Sequence, residues 1–237
     1  INASSDMEET MNKFNVVFGE NAKQVEEWAN AYGRAVGRSQ IELRKMLNTL
    51  QDTFVPMGFA REQAAQLSMS LVKLAIDVAS FNNANDIDVL RDFQSAIVGN
   101  HETVRKYGIV ITESTLKQEA LRSGIIKTER ELTEQEKIQA RLNLIFKGSA
   151  DAMGDAINTA DSYANTLKRV RSFLLDVSVT LGNKLKPFLK EVYIAFLEAG
   201  NYIRGNFNAI MHNTGAILSQ VVRWLAVLIT GVASYIA

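Results

Sequence analysis

Residues 61–80 read REQAAQLSMSLVKLAIDVAS. Within them Ala64, Leu67, Leu71, Leu74 and Val78 step by three and four, the spacing that puts apolar side chains on one side of an α-helix. The same spacing recurs outward from this segment. Upstream, Leu43, Met46, Leu47 and Leu50 follow Ser39. Downstream, Tyr163, Leu167, Val170, Leu174, Val177 and Leu181 form a second narrow seam. A coiled coil and packing inside a helical bundle account for such seams equally well, because neither runs long enough to demand sustained heptads. Only Pro56 and Pro187 interrupt the backbone donors along all 237 residues. Gly108-Ile109-Val110-Ile111-Thr112 is the one run with strand character, and without a partner it reads as an extended connector. The expected fold is all-α: a helical bundle-like region followed by a long apolar helical tract, with no substantial sheet.

Helix starts and turns divide the chain. Ser5 with Glu8, Ser39 with Glu42 and Thr133 with Glu136 have capping-box spacing, in which two side chains satisfy orphan backbone N–H groups. Val55-Pro56-Met57-Gly58 suits a turn. Residues 81–86 form a polar connector, with Asp86 expected to cap a helix over Ile87–Ile97. Small residues line 150–164. Gly182-Asn183 predicts an interruption, and Pro187 the start or kink of a further helix. Two regions are therefore expected, 1–183 and an apolar helical tract at 184–237. Ile1 stands where a start methionine would, so the chain is expected to be a piece of a longer polypeptide.

Composition narrows the chemistry. Twenty-six basic and 26 acidic residues cancel, which gives no global case for nucleic-acid binding. The chain has no cysteine, so thiolate nucleophiles and Cys-type metal sites are excluded. His101-Glu102 opens like a zinc-protease helix motif, but Arg105 occupies the second histidine position. His212 has no carboxylate beside it. Asn85, Asp86, Asp88 and Asp92 lack the glycine and glutamate offsets of a calcium loop. No phosphate-binding Gly loop and no nucleophile elbow occurs. Lys168, Arg169 and Arg171 read as a solvated helix face rather than a phosphate site. No enzymatic activity, cofactor or metal is expected.

Residues 215–237, GAILSQVVRWLAVLITGVASYIA, carry Arg223 as their single charge. Roughly twenty apolar residues match the length that crosses a bilayer. The residues expected to meet a membrane are Arg223, Trp224, Leu225, Val227, Leu228 and Ile229, with Arg223 reaching toward the interface beside Trp224. Burial of the same helix among copies of the chain accounts for it as well. Residues 200–213 mix Asn201, Arg204, Asn206, Asn208 and Asn213 with Tyr202, Ile203, Phe207, Ile210 and Met211, the pattern of an amphipathic helix.

In order along the chain stand Phe14-Asn15-Val16-Val17-Phe18-Gly19, then Val25, Trp28 and Ala29, then Gly37-Arg38-Ser39. Residues 50–59 (LQDTFVPMGF) and 74–83 (LAIDVASFNN) follow, then Ala96-Ile97-Val98-Gly99 and Val104-Arg105-Lys106-Tyr107-Gly108. Lys117–Leu121, Ala140–Ile145 and Leu181-Gly182-Asn183 with Leu185 and Pro187 complete the series. Over about Ser5 to Leu189 this run resembles the tape measure proteins of tailed bacteriophages. The resemblance implies a helical structural protein in the tail tube lumen that sets tail length during assembly and leaves with the DNA at the host envelope. It implies homo-oligomeric packing, and as partners the tail tube, the tail-tip or baseplate proteins, tail assembly chaperones and the host membrane, without sequence-specific nucleic-acid binding. The peptidoglycan-cleaving domain of some members has no match here. The alternative from another class is a helical membrane-inserting, pore-forming protein unrelated to tails.

Overall fold

The computed structural model describes residues 2–206 and 219–227. Among the described residues the chain is all-α, without a strand. Helices α1 (Asn2–Phe18), α2 (Ala22–Val36), α3 (Gln40–Phe54), α4 (Arg61–Phe81) and α5 (Asp86–Ile97) come first. A 3₁₀ turn at His101–Tyr107 leads to α6 (Glu113–Arg122) and α7 (Glu134–Gly148). The short α8 (Asp155–Asn158) precedes α9 (Tyr163–Gly205). Contacts divide the chain into two units: the first covers Asn2–Val179 and the second begins at Thr180.

In the first unit α4 is the central element, packed by α3, α5 and α8. Its seam residues Ala64, Leu71, Leu74 and Val78 are buried. So are Ala65, Val72, Ala75, Ile76 and Ala79, which lie on other sides of the helix. Burial on several faces is what a helix surrounded by others requires, so α4 is a bundle core helix and not one strand of a coiled coil. Phe14, Phe18, Leu43, Leu47, Leu50, Phe54, Phe93 and Ile97 complete the core around it. Among the described residues α4 is also the one helix long and apolar enough to cross a bilayer, and two thirds of that apolar window is buried in the bundle. Ile109 and Ile111, in the segment with strand character, are buried in an extended connector that pairs with no strand.

Local chemistry sets the helix ends, and several differ from expectation. Thr133 and Glu136 form the reciprocal capping box that their spacing predicts. A second box, Thr112 with Thr115, was hidden because threonine replaces the usual Glu or Gln. Ser5 lies inside α1, which begins at Asn2, and caps nothing. Asn85, not Asp86, caps α5: its side-chain oxygen accepts from the Ile87 N–H at 2.9 Å. That leaves the Asp86 carboxylate free to face Arg38. Ser39 stands at the N-cap of α3 but makes no capping bond, because its hydroxyl is used elsewhere. Gly37 ends α2 in the left-handed region at φ 64°, and the next N–H, of Arg38, returns to the Gly33 carbonyl at 2.9 Å. In α9 the helical backbone runs through Gly182, Asn183 and Pro187, where an interruption was expected.

Candidate functional site: the two faces of α9

The part of α9 within the first unit reverses the usual amphipathic rule. Leu167, Val170, Phe173 and Leu174 are 52%, 51%, 65% and 59% exposed. Asn165 and Ser172, on the opposite side, are 4% and 6% exposed. Positions 165, 168, 172 and 176 are spaced by three and four, so one polar stripe faces the bundle while the apolar seam faces out. The seam at Leu167, Val170 and Leu174, expected to pack in a bundle or coiled coil, therefore has no partner within this unit.

Asn165, Lys168 and Asp176 of this stripe each have defined partners. The Asn165 amide donates to the Ser80 hydroxyl at 2.9 Å and to the Thr159 carbonyl at 3.1 Å. Its oxygen accepts from Arg38 Nη2 at 3.0 Å. Lys168 Nζ donates to the Ala84 carbonyl at 2.8 Å and lies 3.1 Å from Asp86 Oδ1. Arg38 Nε pairs with the other Asp86 oxygen, and Arg38 Nη1 donates to the Val36 carbonyl at 3.0 Å. Asp176 accepts from the Ser39 hydroxyl at 2.8 Å, which explains why Ser39 does not cap its own helix. Lys168 is thus half-buried in an ion pair, not part of the solvated face expected from its basic neighbours. Arg171 remains exposed.

Two further features sit at this junction. Burial pushes the Glu42 carboxyl up, a shift opposed by the nearby Arg171. A cavity of about 50 Å³ lies between α9 and the bundle, lined by Leu43, Met46, Ile76, Ile87, Lys168 and Ser172 among others. It has room for a few water molecules but falls far below the roughly 300 Å³ of the smallest ordinary ligand pockets. The arrangement holds a helix against the bundle.

In the second unit, described by itself, the remainder of α9 exposes Leu181, Leu185, Tyr193, Phe196 and Leu197. The helical stretch 219–227 exposes Val222, Trp224, Leu225 and Val227, and Arg223 is exposed as well. Leu228 and Ile229 lie outside the described residues, as do His212 and most of the apolar tail.

The remaining polar candidates have structural roles. Asn85 caps α5, Asp88 faces Arg91, and Asp92 accepts from the Tyr107 hydroxyl at 2.6 Å. His101 accepts from Arg141 Nε at 3.1 Å, and burial lowers its pKa with help from that same cation. Among the described residues no cluster of His, Asp and Glu is placed to hold a metal ion. Sequence reasoning missed Asp77, which is buried in α4 and accepts from the Gly154 and Ala156 N–H groups at 2.9 and 3.2 Å. It also missed the inward stripe, although the recurrence of Asn165, Lys168, Ser172 and Asp176 at helical spacing was visible. No protein-family model, curated protein or solved structure matches this chain.

Proposed function

We propose that this chain is a segment of a tail tape measure protein of a tailed bacteriophage, a structural and assembly component without catalytic activity. The ordered motifs from Ser5 to Leu189 supply the family. The observation that carries the role is the apolar side of α9, a helix of 43 residues that turns Leu167, Val170, Phe173 and Leu174 to solvent. Isolated surface apolar residues need no explanation, but a continuous exposed row marks a surface made to be covered. Sister copies lying side by side in a tail tube would cover it. In this reading the tube, the tail-tip or baseplate proteins and the assembly chaperones are the other partners, and the host envelope is reached on ejection.

A helical ruler has a definite scale. At about 1.5 Å of rise per residue, deleting five turns of α9, 18 residues, removes about 27 Å. Phage assembled with such in-frame deletions should have tails shorter by that amount per deletion in electron micrographs. Unchanged tail length would reject the reading.

Exposure of Val222, Trp224, Leu225 and Val227 favours a second reading for the end of the chain, insertion into a membrane as part of a pore. A peptide covering 188–237 should then release dye from lipid vesicles. A peptide that neither binds nor leaks them removes that part of the proposal.

A further inference from the structure

The contiguous apolar core ends at Ala156: among the described residues, no side chain of α9 belongs to it, and Val179, the buried apolar side chain of α9, lies outside it at the far end of the segment. What attaches the first turns of α9 is polar. Asn165, Lys168 and Asp176 bond to Ser80, Asp86 and Ser39, which stand at the end of α4, the start of α5 and the start of α3. The helix thus bridges two helix junctions and enters neither. Polar contacts of this kind exchange for contacts with water at small net cost, whereas leaving a packed core exposes apolar surface. The cavity beneath α9 has the same meaning, since a helix integral to the core would be packed without a gap. Arg169 lies over Gly37, where the absent side chain leaves room: a Cβ there would lie 2.6 Å from Arg169 Nε.

We infer that residues 163–179 of α9 form a polar-latched strap that separates from the bundle while the core from Phe14 to Ala156 stays folded. The latch is closed by three side chains of α9 and is opened by removing them, or in part by screening its two charged members, Lys168 and Asp176. The charged groups facing it are Arg38, Glu42 and Asp86 from the bundle and Lys168, Arg169, Arg171 and Asp176 on α9 itself. While docked, the strap keeps its apolar side outward and open to a partner. Opening frees the other side, so that α9 can continue as a free helix. The inference stands whether or not the chain works in a tail.

The absence of cysteine makes a direct test simple. In the full chain, Ser172→Cys places one thiol in the cavity under α9, and Ser68→Cys in a separate protein places one in the α4 core. Reaction with a thiol reagent reads the opening of each. Adding Asn165→Ala, Lys168→Ala and Asp176→Ala should speed labelling at position 172 at least tenfold and leave position 68 protected. Raising ionic strength from 0.01 M to 1 M, which shortens the screening length from about 30 to about 3 Å, should act in the same direction without the three substitutions. If the triple variant fails to fold, the salt series alone decides. Position 172 staying protected throughout, or both positions opening together, would overturn the inference.

Discussion

At the scale of single residues, two positions show how little room the first unit leaves at its junctions. Gly37 combines a left-handed backbone with the close approach of Arg169. Gly37→Ala should therefore destabilise the chain by about 1–2 kcal/mol in urea unfolding, from the strained φ together with displacement of Arg169. Asp77 accepts from two backbone donors near α8 that have no other acceptor among the described residues. Asp77→Ala leaves both without an acceptor and should cost about 1–3 kcal/mol. Asp77→Asn keeps one acceptor and should cost less. Burial raises the Asp77 carboxyl above its usual range, against the pull of the two N–H groups. The folded state thus holds that proton more tightly than the unfolded chain, and this residue's contribution declines as pH rises through and above the ordinary carboxylate range. Comparing wild type with Asp77→Asn across that range measures the sign directly.

Single elements separate what the amino-acid pattern discloses from what it conceals. The start of α7 was legible because a capping box is a local device that needs only Thr133, Glu136 and the backbone between them. Its pH response is equally local. Arg130 donates to Glu136 at 2.8 Å, the Thr133 N–H donates to the same carboxylate, and together they hold the Glu136 pKa at about 2 against an ordinary 4.5. The stabilisation is complete above the ordinary value and disappears as pH falls from about 4.5 toward about 2. Amide exchange in residues 134–137 should increase over that interval, and Glu136→Gln should abolish the change. The pair is exposed, so the effect on global stability is small. The orientation of α9 was not legible. Periodicity located the apolar seam at Leu167, Val170 and Leu174, but which side meets the bundle depends on Ser80, Asp86 and Ser39, about 80 to 140 positions away in sequence. Likewise Asp86 looked like a cap until Arg38 and Asn85, brought together by the fold, gave each side chain a different task. Because the seam is already in water, Val170→Gln with Leu174→Gln should shift unfolding free energy by no more than about 0.5 kcal/mol. An expected core seam would have lost several kcal/mol.

For the whole molecule, the all-α class followed from periodicity and scarce proline, and the core followed from the seam in α4. The exposed row on α9 was visible as apolar residues but not as a surface. If copies cover one another through it, the purified chain should associate with increasing concentration in sedimentation experiments, and the Val170→Gln and Leu174→Gln variant should shift toward monomer. The reversed amphipathicity of α9 also changes which substitutions the chain tolerates. In an ordinary bundle helix, apolar positions answer to folding and polar ones are free to vary. Here Leu167, Val170, Phe173 and Leu174 answer to whatever the helix meets outside, and Asn165, Lys168 and Asp176 answer to how it is held. A saturation scan of α9 scored once for attachment to the bundle and once for assembly should sort into two interleaved sets of intolerant positions, offset by about half a helical turn, with little overlap between them.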